Sequence, residues 1–156
     1  MKEENLYDPI RTYLLEKFNQ KFKDTILEDT HSGGFSQKIK KEIPEHREII
    51  FSFLTKEKPD LIGYVKETYS VKYITVEIKN TQINLNDVYQ AKKYADLFEA
   101  KYGFLISSKA IPDEIKRLHK KTSILRTTVD YERLILAEWD ISKNEVVDWF
   151  EISPFQ

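Results

Sequence analysis

Val71-Lys72-Tyr73-Ile74-Thr75-Val76-Glu77-Ile78-Lys79 alternates cleanly, and it decides the fold. Period-two spacing puts Val71, Tyr73, Thr75, Glu77 and Lys79 on one face of a β-strand, and Lys72, Ile74, Val76 and Ile78 on the other. The Val76/Ile78 face is the one expected to pack against helices. Glu and Lys are depleted inside sheets, so two charged groups on the other face need a reason.

Working outward, the preceding strand is predicted from Asp60 to Val65, with a turn at Glu67-Thr68-Tyr69-Ser70 that lets Asp60 approach Glu77. A further β-type run is predicted from Arg47 to Leu54, on Ile49, Ile50, Phe51 and Phe53. Asp8-Pro9 reads as N-cap and first helical position of an opening helix running to about residue 23. Its apolar face is Ile10, Leu14, Phe18 and Phe22. Between these elements, residues 31–36 read as a glycine-containing loop, followed by a solvated Lys38-Ile39-Lys40-Lys41.

Downstream, a helix is predicted from Asn86-Asp87 to about Lys101, with the stripe Val88, Ala91, Ala95, Phe98 and Tyr102, ended by Gly103. Phe104-Leu105-Ile106 reads as a short buried strand, and a basic helix spans about Pro112 to Lys121. The C-terminus reads as a hairpin, Arg133 to Ile141 and Val146 to Ile152, turning at Ser142-Lys143-Asn144. The predicted class is α/β, an αβββαβ core with a mixed sheet flanked by helices, then a C-terminal helix and β-hairpin. With 156 residues and no linker-like stretch, a single domain over 1–156 is expected.

Composition narrows the chemistry. There is no cysteine, which excludes disulfides, thiolate nucleophiles and sulfur-ligated metals. The N-terminus is polar and no apolar run reaches membrane-spanning length, so no membrane association and a cytoplasmic location are expected. Net charge is −1, so any contact with DNA must come from a local basic surface. No serine sits in a nucleophile-elbow pattern with a paired histidine. His31, His46 and His119 show no metal-ligand spacing.

Asp60, Glu77 and Lys79 fit a metal site. Magnesium is usually held by one or two carboxylates plus substrate phosphates. Two close carboxylates repel each other unless a cation lies between them, and that ion can polarise a phosphate oxygen. Lys79 follows about 7 Å along the strand, where an ammonium could orient water or offset charge on the phosphorane. Gln90 and Tyr94 share a helix face that could look toward the carboxylates and bond the phosphate backbone, Glu77 or Lys79. A surface salt-bridge cluster is the plainer alternative for the first three residues, and an ordinary exposed helix for the last two.

Pro59-Asp60, Glu77-Ile78-Lys79 and Gln90-x-x-x-Tyr94 together resemble the PD-(D/E)xK nuclease superfamily with the QxxxY element of its RecB-type members. The resemblance spans roughly residues 8 to 107. It implies a restriction-endonuclease-like core and a magnesium- (or manganese-) dependent DNA nuclease, with Asp60 and Glu77 as metal ligands and Lys79 as the catalytic lysine. The main-chain carbonyl of Ile78 would be a further metal ligand by the same analogy. Many members also use a glutamate on the first helix; Glu16 points away from the apolar face and Glu4 precedes the helix, so no residue is assigned.

Lys116 and Lys120, on one face of the basic helix, are the candidate backbone-phosphate contacts, with Lys38, Lys40 and Lys41 second. Trp139 and Trp149 are expected in the core or an interface, and an apolar hairpin could build a homodimer. The competing function is a catalytically inactive nuclease-fold module binding nucleic acid or a protein partner.

Overall fold

A computed structural model describes residues 1–31 and 33–156. Ser32, in the loop predicted over 31–36, lies outside the described residues. Helices α1 (Tyr7–Lys21), α2 (Gln37–Glu42), α3 (Ile50–Phe53), α4 (Leu85–Phe98) and α5 (Asp113–Thr122) flank one sheet. Its strands are β1 (Thr25–Asp29), β2 (Leu61–Lys66), β3 (Val71–Lys79), β4 (Tyr102–Ser107), β5 (Ile135–Asp140) and β6 (Glu145–Trp149). They lie side by side in chain order, so the protein is α/β with a six-stranded mixed sheet flanked by helices. β1–β2, β2–β3 and β5–β6 are antiparallel; β3–β4 and β4–β5 are parallel.

That mixture explains which faces are covered. A parallel connection needs a crossover, and α4 supplies the one from β3 to β4. α1 lies on the other face, where Ile10, Leu14 and Phe18 pack on Ile74, Val76, Ile78, Phe104 and Trp139. Val88, Ala91 and Ala95 of α4 join Ile115 of α5 over Leu105 and Leu136. The prediction that only the Val76/Ile78 face meets helices is therefore corrected. Glu77 faces the α4 side and is itself buried, at 3% exposure. β4 approaches α4 closely: a Cβ at Gly103 would lie 2.9 Å from the Ala95 Cβ.

Several boundaries move. The run Arg47 to Leu54 is no strand: Glu45–Arg47 is a 3-10 turn and Ile50–Phe53 a short helix. Ile50 and Leu54 are buried at helical spacing, while Ile49 and Phe53 are 64% and 73% exposed. The first strand is instead Thr25–Asp29, whose acidic end and five-residue length hide its period. Gly63 of β2 meets it so closely that a Cβ would fall 1.8 Å from the Ile26 carbonyl oxygen.

Asp8 is not the N-cap of α1; a 3-10 turn, Glu3–Leu6, leads directly into the helix, which ends at Lys21. α4 starts earlier than predicted because Asn84 and Asp87 form a reciprocal capping box. It stops at Phe98, with Glu99 in the left-handed region at φ 50°, so Tyr102 and Gly103 belong to β4. Lys38-Ile39-Lys40-Lys41 lies on α2, capped by Ser36, with Ile39 buried and the lysines exposed. The C-terminal hairpin forms as predicted, and its first strand extends the sheet by pairing with β4.

Candidate metal and catalytic site

Strand register brings the carboxylates together. Leu61 pairs with Val76, so Asp60, one residue before β2, comes level with the Glu77–Ile78 end of β3. The Ile78 amide donates to Asp60 Oδ2 at 2.7 Å, and the Tyr7 hydroxyl donates to Oδ1 at 2.8 Å. The backbone around Asp60 is held by Thr30, buried just after β1: its amide donates to the Asp60 carbonyl and its hydroxyl to the Pro59 carbonyl. Asp60 is thus clamped from three elements.

Glu77 is a charged group in an apolar setting, and its carboxylate is the one acid among the buried side chains left without a partner among the described residues. Its Oε2 is buried and has no protein hydrogen-bond partner among the described residues. A buried carboxylate normally satisfies both oxygens, because an unpartnered one costs about 1–3 kcal/mol or more. Burial, then hydrogen bonding to Asp60 and its charge, pushes the Glu77 carboxyl up to about 10, against the pull of Lys79. A cation between two such acids would offset that cost.

Lys79 is half-buried at the end of the same strand. Burial works against its ammonium, but the field of Glu77, Asp87, Glu3 and Asp60 outweighs it and raises the Lys79 pKa. Its Nζ lies 3.6 Å from Asp87 Oδ1. Asp87 is itself fixed by the α4 capping box, where its other oxygen accepts from the Asn84 amide at 3.0 Å. The lysine is thereby paired with Asp87.

Gln90 and Tyr94 are brought near but not onto the acids. Gln90 Nε2 donates to the Tyr94 hydroxyl at 3.2 Å, and Tyr94 is 1% exposed. Burial pushes the phenol up to about 12; the Gln90 bond opposes this, and the nearby Glu77, Glu57 and Asp60 charges add to it. Neither side chain hydrogen-bonds Glu77 or Lys79 among the described residues. Lys116 and Lys120 lie elsewhere: α5 packs through Ile115, Lys116 sits 5.9 Å above the Phe150 ring, and Lys120 is exposed. Trp139 is 1% exposed and edge-on to Tyr13, while Trp149 packs on Phe104 and Phe155, so both belong to the chain's own core.

Sequence reasoning missed Tyr7, Thr30, Asp87 and Glu3. Glu3 Oε1 accepts from the Asn80 amide at 3.3 Å, and its charge is felt by Tyr7, Glu77 and Lys79. It sits in the 3-10 turn before α1, where helical periodicity could not find it. The Asn84-x-x-Asp87 capping pattern was the one readable signal for Asp87.

The donor set fits a small divalent cation. Asp60 and Glu77 offer hard carboxylate oxygens, one of them buried without a protein donor among the described residues, and such oxygens suit magnesium or manganese. Among the described residues no three acids or histidines converge as a protein-only cage. No helix among them is long and apolar enough to cross a membrane. No protein-family model, curated protein or solved structure matches the chain.

Proposed function

We propose that the chain is a divalent-metal-dependent nuclease of the PD-(D/E)xK type, hydrolysing phosphodiester bonds in DNA. The observation that carries this reading is the buried, unpartnered Glu77 Oε2 beside the clamped Asp60 carboxylate, with Lys79 two residues along the strand. Magnesium or manganese bound there would polarise a phosphoryl oxygen and lower the pKa of a water.

Asp60 and Glu77 would hold that ion, with the Ile78 carbonyl as a third oxygen. On binding, the proton held at Glu77 would leave, turning a costly buried acid into a ligand. Lys79, kept charged by its acidic surroundings and directed by Asp87, would orient the attacking water or offset charge on the phosphorane. Gln90 would order the Tyr94 hydroxyl at the rim. Lys116 and Lys120, and the lysines of α2, would contact backbone phosphates away from the scissile one. The restriction-endonuclease-like core and a cytoplasmic location belong to the same reading; a homodimer would supply two such sites for duplex cutting.

The test is cleavage of supercoiled and linear DNA with magnesium or manganese, wild type beside Asp60→Ala and Lys79→Ala. Metal-dependent cutting lost in both variants supports the reading. Absence of cutting and of metal binding by wild type would instead favour a non-catalytic nuclease-fold module, a reading that draws on the net charge of −1.

A further inference from the structure

Asp60 is held by a residue from the other end of the chain. Tyr7, in the first turn of α1, reaches Asp60 Oδ1 across 53 positions with a 2.8 Å hydrogen bond. The phenol is 6% exposed, so it is not placed to grip a large substrate. Its ring lies edge-on to His31, with centroids 5.5 Å apart. His31 Nε2 is 3.3 Å from Glu4 Oε1, and the His31 amide donates to Asp29 Oδ1 at 2.7 Å. The imidazole, 42% exposed, thus lies against the Tyr7 ring on its solvent side.

Each carboxylate oxygen of Asp60 has two lone-pair directions, and each spends one inside the protein: Oδ1 on Tyr7, Oδ2 on the Ile78 amide. The remaining directions are fixed in space by those two donors. We propose that Tyr7 is a positioning residue that sets the carboxylate plane of Asp60 for a divalent cation, an inference that rests on the metal-dependent reading of this site. A phenol ordinarily ionises only at about pH 10, so the hydroxyl is a donor to Asp60 at neutral pH. Outer donors of this kind orient ligands, and their loss typically weakens metal affinity about 10–100-fold.

Manganese titration calorimetry on wild type, Tyr7→Phe and His31→Ala tests this, with melting curves in EDTA and cleavage rates at rising manganese. Phe keeps the packed ring and removes only the donor; Ala at position 31 removes the ring that lies against Tyr7 and leaves the donor. The expected result is manganese affinity at least about tenfold weaker in Tyr7→Phe, with EDTA melting near wild type. Cleavage by that variant should need more metal for half-maximal rate and recover most of kcat at saturation. His31→Ala should bind manganese within about threefold of wild type. Wild-type affinity in Tyr7→Phe, or equal losses in both variants, would overturn the inference while leaving the metal site standing. No manganese binding by wild type would overturn the metal reading and this inference with it.

Discussion

Two charged clusters in this molecule are built from similar groups and finished differently. At β5 and β6, the Arg133 guanidinium spends its donors on the Leu134 carbonyl at 3.2 Å, Glu151 Oε1 at 2.6 Å and the Phe150 carbonyl at 3.2 Å. The hydrogen bond from Arg133 holds the Glu151 carboxyl below its ordinary range. At β2 and β3, Glu77 is pushed in the opposite direction, because burial and a second carboxylate surround it and one oxygen finds no donor. A cluster that serves the fold closes its hydrogen bonds. A cluster that leaves a buried acid open bears a cost that a ligand can relieve, and perturbed groups of that sort concentrate at functional sites.

The contrast breaks most visibly under mutation. Lys79→Ala or Asp60→Ala should lower the metal-dependent cleavage rate by about three orders of magnitude, the scale of losing a group that stabilises transition-state charge. Arg133→Ala should leave that rate within a few-fold and instead destabilise the fold by about 1–3 kcal/mol, read from denaturant unfolding, since it strands two carbonyls. If Arg133→Ala abolished cutting and Lys79→Ala only lowered stability, the two clusters would have been assigned the wrong way round.

The pH response sharpens the same difference. Glu77 has its folded pKa raised to about 10 from an ordinary 4.5. Its protonated form is favoured by folding, so this contribution is fully present below about pH 4.5 and is lost as pH rises toward about 10. In EDTA, Glu77→Gln should therefore melt above wild type at alkaline pH, by several degrees at ~2–4 °C per kcal/mol for a chain of this size. A wild-type protein as stable as Glu77→Gln from about pH 5 to about pH 9 would mean Glu77 is not the strained partner.

Smaller effects follow from the residues that support the site. Glu3→Gln should weaken manganese binding several-fold, seen by calorimetry, because it removes one charge from the field around Glu77 and Lys79. Asn84→Ala should cost about 1 kcal/mol through loss of the α4 cap. The backbone amide that holds the Asp87 carboxylate beside Lys79 survives this change, so the cleavage rate should stay within a few-fold of wild type.

How much of this could be read from residues alone varies along the chain. β3 was legible because nine residues alternate without a break, and α1 and α4 because their apolar stripes run three to four turns. β1 was not, since Thr25-Ile26-Leu27-Glu28-Asp29 offers too few apolar positions to show a period. The apolar run Ile49-Ile50-Phe51-Ser52-Phe53 misled because tertiary packing buries Ile50 and leaves Phe53 in solvent. Glu77 and Lys79 stand out in the sequence as charged groups inside a strand, and Asp60 as a carboxylate that a turn can bring to them. The burial of Glu77 was invisible, because it depends on α4 crossing that face. Tyr7 and Glu3 reach the site through folding, from positions whose spacing carries no message.

Asp60 and Glu77 are proposed to hold a divalent cation between them. Manganese calorimetry on wild type and Glu77→Gln, at neutral pH in the absence of DNA, tests this most directly. Wild type should bind saturably and release protons, and Glu77→Gln should lose both, because its amide cannot act as an anionic ligand. Equal binding by the two proteins would contradict it.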